Sequence, residues 1–413
     1  MLKKPEKNIL FFITSSYPYG KSEIFIENEI KVLSEKFDKT IIFSGTFPNS
    51  NLRSVPNGVE VRNIPYDFPL SIIQIFLSIF SWAFFQELFI IVFLYYKLPT
   101  FGRIKTIAVS LSNANRLKVL YQKEISKFKK DYNIFMYSFW YNDSAIAISK
   151  IKEKSSELIT VSRAHRWDLY FNENKYNYLP FRFQTSKNLD SIYSASVQGI
   201  KYCKEYWKIS KYNNLRLSRL GVKNQNFLPQ NKTVKIIVSC SNVINVKRVD
   251  KIISSLSLVK TKGLKWVHFG TGPEFAAIKK FAETKLKNKM NFEFLGHFKN
   301  PDLLNWYKLN NPSLFINLSR SEGIPVSIME AMSFGIPCVV TKVGGSIELV
   351  PENIGFPLRK EVGNQEVASV IDKYFKLSLE EKTKIRNKSF DHINKEFNSD
   401  KNYKNFCEDL LSL

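Results

Sequence analysis

Two carboxylates on one stretch of chain restrict the chemistry most. Glu322 and Glu330 stand with seven residues between them in Ser319-Arg320-Ser321-Glu322-Gly323-Ile324-Pro325-Val326-Ser327-Ile328-Met329-Glu330-Ala331-Met332-Ser333-Phe334-Gly335. The pattern predicts a polar loop entering a short helix. Gly323 permits an unusual turn, Pro325 suits the first helical position and Gly335 suits the residue after the helix end. The apolar run Ser313–Leu318 before it predicts a buried parallel strand, and Pro337–Thr341 after it starts the next. Glu322 therefore falls at the carboxyl end of a strand, where open parallel sheets bind ligands. Amides near Ile324 and Val326 would point outward at the helix start and favour an anion. Carboxylates on both sides of such a start suit a ligand with hydroxyls at its ends and a diphosphate between them. A sugar nucleotide has that form. The same residues also fit an acidic helix start followed by a surface Glu.

The run Glu322 to Ala331, followed by Gly335-Ile336-Pro337 and Gly344-Gly345, resembles the signature of glycosyltransferase family 4. These are retaining enzymes of the bacterial polysaccharide type, glycosyl transferase group 1. The resemblance implies an α/β fold with two Rossmann-like domains facing across a cleft, the glycosyltransferase B fold. It implies that Glu322 contacts the donor sugar and Glu330 the nucleotide ribose. Backbone of Gly323, Ile324, Pro325, Val326, Gly344 and Gly345 would line the donor.

Three further stretches resemble donor-side loops of the same family. Asn242-Val243-Ile244-Asn245-Val246-Lys247-Arg248 matches the loop that holds the diphosphate, with Lys247 carried over as a catalytic cation. Family members have an Arg five residues before that Lys and a Gly after it. Here Asn242 and Arg248 stand at those places, and Arg248 is a candidate for the missing charge. Gly270-Thr271-Gly272-Pro273 resembles a nucleotide-side glycine turn, and Gly296-His297-Phe298 resembles the loop meeting the base edge, so Gly270, Gly272, His297 and Phe298 are expected at the donor. His268 is expected to be an inward strand residue.

In the N-terminal half, Leu158–Ser162 predicts a strand leading into Arg163-Ala164-His165-Arg166-Trp167-Asp168. A lone His is more often structural, but a His after a strand end is well placed for a site. The surroundings resemble the family's loop whose His approaches the donor sugar, which makes His165 a catalytic candidate, with Arg163 and Asp168 beside it. Asn8–Thr14 predicts the first strand. The loop after it contains Gly20, Ser22 and Glu23, which resemble an acceptor-side Ser-Glu pair. The bland reading of that pair is a helix cap and a first-turn acid.

At 413 residues, with 44% hydrophobic content, the chain suits two domains. We expect an acceptor-binding domain over 1–221, a linker over 222–233, a nucleotide-sugar domain over 234–399 and a terminal helix over 400–413 crossing back. The net charge of +24 is spread over both halves, which argues against a basic nucleic-acid tail and for nucleotide diphosphates and anionic lipid headgroups. Four widely spaced cysteines argue against a disulfide framework or structural zinc and fit a reducing cytosol.

The segment 70–96 is almost wholly apolar and aromatic, with Glu87 as its only charge before Lys97. It admits a bilayer span by length, a buried helical pair, or helices lying in the membrane interface. We favour the interface, with Lys97, Arg103 and Lys105 toward headgroups.

The sequence thus points to a retaining glycosyltransferase that moves a sugar from a nucleotide-diphosphate donor to a carbohydrate acceptor, lipid-linked or oligosaccharide, in polysaccharide or lipopolysaccharide biosynthesis. Its expected place is the cytoplasmic membrane face. No metal site and no cofactor are expected, because the sequence has no Asp-x-Asp motif and a cationic site can stabilise the leaving group. A non-hydrolysing sugar-nucleotide epimerase and a non-catalytic membrane-surface protein are the alternatives. No nucleic-acid motif is evident.

Overall fold

The computed structural model describes residues 5–20, 23, 26–45, 52–64, 72–209, 214–230, 233 and 235–413. Ser22 therefore lies outside the described residues, as do Leu70 and Ser71 of the apolar segment. The chain divides into two compact units, Met1–Ser218 with Tyr403–Leu413, and Arg219–Asn402.

Each unit is built on a parallel sheet. Among the described residues the first has β1 (Lys7–Ile13), β2 (Lys39–Gly45), β3 (Val59–Ile64), β4 (Tyr132–Ser138), β5 (Ile159–Ala164), β6 (Ser191–Ser194) and β7 (Leu215–Leu217), in the order β3-β2-β1-β4-β5-β6-β7. The second has β8 (Ile236–Cys240), β9 (Lys265–Phe269), β10 (Asn291–Gly296), β11 (Leu314–Asn317), β12 (Cys338–Thr341) and β13 (Phe356–Leu358), in the order β10-β9-β8-β11-β12-β13. In both, the order reverses beside the first strand, between β1 and β4 and between β8 and β11. That reversal opens a crevice at the carboxyl ends of the central strands, where a doubly wound sheet binds its ligand.

Continuous apolar runs make the central strands, because helices cover both faces of each sheet. In β1, Ile9, Phe11 and Ile13 join a core with Ile107 and Leu111 of the long helix Phe101–Phe128. Leu10 and Phe12 face the other way, onto Ile30, Leu33, Phe406 and Leu410. The last two come from the terminal helix Ser399–Leu411, so residues far apart in sequence complete the first unit. In the second unit Ile237, Trp266, Leu314 and Val339 share one core with Val367 and Ile371.

The expected linker is a packed strap of the second unit. The Leu228 N–H donates to the Phe334 carbonyl at 3.1 Å, and Arg386 Nε donates to the Leu228 carbonyl at 2.9 Å. Phe227 lies edge-on to Phe390. The aromatic ring and the paired backbone give this stretch more to bury than its polar composition suggests.

The apolar segment forms a helix Ile72–Ile79, a break, and a helix Trp82–Phe89 that runs on as a π-helix, Ile90–Leu94. The axes bend by 62° at the break, where the Ser81 hydroxyl accepts from the Phe84 N–H. Among the described residues no single helix is long and apolar enough to cross a membrane.

Candidate active site

The strand-end loops of the second unit interlock at very short range, and glycines make this possible. A Cβ on Gly270 would stand 1.9 Å from the Ser241 carbonyl oxygen, and one on Gly344 would stand 1.8 Å from that of Glu322. Both have positive φ, +135° and +49°, which glycine tolerates without steric cost. The loops after β8, β9, β11 and β12 are thereby held as one rim. The Val243 N–H donates to Thr271 O at 2.9 Å and the Gly345 N–H to Gly323 O at 2.6 Å.

On this rim Lys247 and Glu322 meet. The ammonium lies 2.7 Å from each carboxylate oxygen. Glu322 is buried and Lys247 is partly exposed. Asn317 at the end of β11 donates to the same carboxylate at 3.3 Å and accepts from the Ser319 N–H at 3.0 Å. An amide at the strand end thus fixes the carboxylate and the loop that carries it.

Glu330 lies in the short helix Val326–Met332, which begins after Pro325. Burial pushes its carboxyl up to about 7, against a hydrogen bond from the Asn300 side-chain amide. The Cys240 thiol at the end of β8 feels both Glu330 and Lys247. The structure therefore brings Lys247, Glu322 and Glu330 to the carboxyl ends of β8 and β11.

Arg248 does not take the place of the family's missing Arg. It is buried and left-handed, and its guanidinium is spent within the protein, with Nε to Leu318 O, Nη2 to Ser319 O and Lys360 O, and Nη1 to the Glu361 carboxylate at 3.4 Å. It clamps the exit of β11. An exposed cation on this rim is Arg320, whose Nη1 donates to Asn245 Oδ1 at 2.8 Å and whose N–H donates to Val246 O. Arg320, Asn245, Asn317 and Asn300 are further residues at or bonded to this rim that motif reading did not single out, although Arg320 and Asn245 lie within the quoted motif stretches. Phe298 packs edge-on to Phe269, His297 beside it is exposed, and His268 is buried with Nδ1 on Ser239 Oγ at 2.8 Å.

The first unit gathers a second cluster at the ends of β1, β4 and β5. His165 stacks on Phe139 with ring centres 4.6 Å apart and lies 4.7 Å from Trp140. Burial, reinforced by Arg163, holds its imidazole down at about 3, so it is neutral at physiological pH. The Trp140 indole N–H donates to Glu23. Trp140 thus joins two residues that sequence reading assigned to separate loops.

Three expected substrate ligands are committed elsewhere. Glu23 has positive φ, and its carboxylate accepts from the N–H groups of Ser15, Ser16 and Tyr17. It closes its own loop instead of facing solvent. Asp168 is fully buried and accepts from the N–H groups of Tyr141 and His165 at 2.6 and 2.7 Å. Burial raises its carboxyl to about 6. It positions the His165 backbone. Arg163 is fully buried, donating to Glu29 at 2.6 Å and to Ser218 Oγ at 2.9 Å. A bound sugar would have to break a buried ion pair to use it, so it is a core residue. Gly20 remains at the open end of the β1 loop, with positive φ and free space where a Cβ would stand.

Among the described residues, no group of three His, Cys, Asp or Glu side chains is placed to hold a metal ion.

Residues 223–391 match the family Glycosyl transferases group 1. The matched region contains the whole Lys247–Glu322–Glu330 rim. In sequence, the chain is similar to N-acetyl-alpha-D-glucosaminyl L-malate synthase of Bacillus anthracis, 32% identical over 28% of this chain and 29% of that protein. It is similar to the O-antigen biosynthesis glycosyltransferase WbnH of Escherichia coli, 26% identical over 41% of this chain and 50% of that protein. The chain thus spans at most half the length of these two relatives. In structure, it resembles Alr3699/HepE of Anabaena, solved in complex with UDP and glucose, with a TM-score of 0.63 and 15% identity over 98% of this chain and 100% of that one. This likeness establishes the fold, two parallel-sheet α/β units of the glycosyltransferase B type.

Proposed function

We propose that the protein is a retaining glycosyltransferase of family 4 that transfers a sugar from a nucleotide-diphosphate sugar to a carbohydrate acceptor. The observation that carries this reading is the Lys247–Glu322 contact on a rim of strand-end loops, with Glu330 buried nearby. As the glycosidic bond breaks, negative charge grows on the departing diphosphate, and a preorganised cation stabilises it. Lys247 supplies that charge, with backbone N–H groups near Ile324 and Gly344. Glu322 holds the donor sugar by its hydroxyls, and Glu330 accepts from the ribose.

Glu322 is not assigned as a nucleophile, since no second carboxylate accompanies it in the arrangement of retaining glycosidases. Front-face attack, with the departing phosphate taking the acceptor proton, follows from the resemblance to family 4. The reaction is proposed to need no metal ion. For His165 we assign hydrogen bonding to a sugar hydroxyl, as a neutral imidazole that both donates and accepts. Gly20 and the loop around it are assigned to the acceptor. The proposed pathway is cell-surface polysaccharide or lipopolysaccharide synthesis at the cytoplasmic membrane face, on a lipid-linked acceptor.

The test is calorimetric titration with a panel of uridine and guanosine diphosphate sugars, alongside Glu330→Ala. One donor is expected to bind, and the variant to weaken it by about 1.5–3 kcal/mol, as for a hydrogen bond to a charged group. Absence of binding to every nucleotide sugar would overturn the proposal.

A further inference from the structure

The hairpin of helices after residue 71 buries two of its polar side chains, Ser78 and Glu87, beside Phe84, while most of its phenylalanines lie on the outer face. Ser78 is buried and its hydroxyl donates to the Ala108 carbonyl at 3.0 Å. Glu87 is fully buried and accepts from the Phe181 N–H at 2.8 Å, from Gln184 Nε2 at 3.0 Å and from the Tyr178 hydroxyl. These two residues pin the hairpin to the long helix and to residues 178–184, which lead into the helix Arg182–Asn188. On the opposite side Phe76, Phe80, Trp82, Phe89 and Phe93 are 57%, 63%, 75%, 63% and 61% exposed. Phe76 meets Phe80 at 5.0 Å and Phe89 meets Phe93 at 4.5 Å, so the exposed rings form patches. Exposed apolar patches of this kind mark an interaction surface.

We propose that this outer face seats in the interface of an anionic lipid bilayer. Charge selects that occupant. From Pro69 to Lys123 the only carboxylate is Glu87, which is buried, while Lys97, Arg103, Lys105, Arg116, Lys118 and Lys123 are all basic. Arg103 donates to the Tyr176 carbonyl at 3.0 Å, which brings the exposed Lys175 and Tyr176 to the base of the hairpin. A second copy docked face to face would set these cations against one another. Anionic headgroups pair with them, at about 1 kcal/mol for each Lys or Arg near the surface.

Length selects the depth. The first helix has 8 residues and the second run, Trp82–Leu94, is bent away from it by 62°. At about 1.5 Å per residue neither reaches across a hydrocarbon core of about 30 Å alone; the pair together has the length, but its 62° bend turns it away from one straight span. Amphipathic helices of this length lie in the interface plane, with aromatic rings at headgroup level. The inference rests on the membrane-facing part of the proposed function and names the surface that would serve it.

The test is co-sedimentation of the full chain with phosphatidylcholine vesicles, with and without phosphatidylglycerol. It is run beside the triple variant Phe76→Ser, Phe89→Ser, Phe93→Ser. The wild type is expected to bind the anionic vesicles several-fold better, less so at high salt, and the variant to bind at least about tenfold more weakly. Wild-type protein that ignores both vesicles, or a variant that binds equally, would overturn the proposal. So would a dimer that the substitutions dissociate while vesicles go unbound, since the face would then belong to a second copy.

Trp82→Phe, a change that leaves the helix intact, gives an independent reading. Brominated lipid is expected to quench wild-type fluorescence more than that of Trp82→Phe, and equal quenching would count against insertion. Nucleotide-sugar titration of the same samples separates the two proposals. Lost vesicle binding with intact donor binding overturns only the membrane surface, and the reverse overturns only the transferase reading.

Discussion

The Lys247 ammonium is shared evenly between the two oxygens of Glu322, 2.7 Å from each, although 75 residues separate them. The pair holds a cation at the site before any diphosphate arrives, and gives the carboxylate a fixed direction. Replacing Lys247 by Ala removes the charge that stabilises the leaving group. We expect kcat to fall by about 10²–10³-fold, the cost of losing one preorganised transition-state contact. Steady-state kinetics check this; a loss confined to KM would assign Lys247 to ground-state binding only.

Arg320 is another cation of the rim, placed by Asn245. Arg320→Ala is expected to weaken nucleoside diphosphate binding by about 1.5–3 kcal/mol, as for a hydrogen bond to a charged group. Arg248→Ala is expected instead to lower thermal stability, because its guanidinium bonds carbonyls of the protein. Calorimetry and thermal melts on both variants separate the two roles.

Donor affinity should depend on pH through Glu330. Burial raises its carboxyl to about 7, so the site holds a protonated acid below that pH and a carboxylate above it. A carboxylate accepts ribose hydroxyls strongly, so donor affinity is expected to rise as pH increases through about 7. Stability runs the other way. The folded chain keeps a proton that the unfolded chain releases at its ordinary value of 4.5, so this group's contribution to stability falls as pH rises between the two values. Glu330→Gln should flatten both profiles, read by calorimetry and by denaturant titration at several pH values.

The buried Arg163–Glu29 pair should behave as core. Glu29→Ala strands a fully buried guanidinium and is expected to cost about 3–5 kcal/mol of stability. Denaturant unfolding measures the cost. A variant that folds normally but loses donor or acceptor binding would restore Arg163 as a substrate ligand.

Gly344→Ala tests the interlocked rim. Its Cβ would collide with the Glu322 carbonyl and its φ is +49°. We expect activity to fall by at least about tenfold, because a displacement of the order of an ångström at the reacting groups carries costs of that size or more. Unchanged kcat and KM would show that the loops need not touch.

Much of this was legible in the chain. Apolar runs located the central strands, and the glutamate stretch placed Glu322 and Glu330 correctly on a loop and a helix. What stayed hidden depends on long-range pairing. Nothing near Arg163 announces that Glu29, 134 residues away, will neutralise it. Arg248 looks like a spare phosphate ligand until the fold delivers carbonyls from Leu318, Ser319 and Lys360. The strands β3, β7 and β13 were missed because they are short or half exposed and lack a continuous apolar run. The hairpin was recognisable as helical, but only the fold shows that Glu87 and Phe84 turn inward while Phe76, Phe80, Phe89 and Phe93 turn outward.

The terminal helix has a consequence for biosynthesis. Phe406 lies against Tyr137, Tyr193 and the Arg163 guanidinium, and Asp409 accepts from Tyr193. These residues are translated only after all of the second unit. The first unit therefore leaves the ribosome with one face of its sheet only partly covered, by the helix Ile26–Lys36. That face waits through the synthesis of about half the chain, and the unit made first is the one completed last.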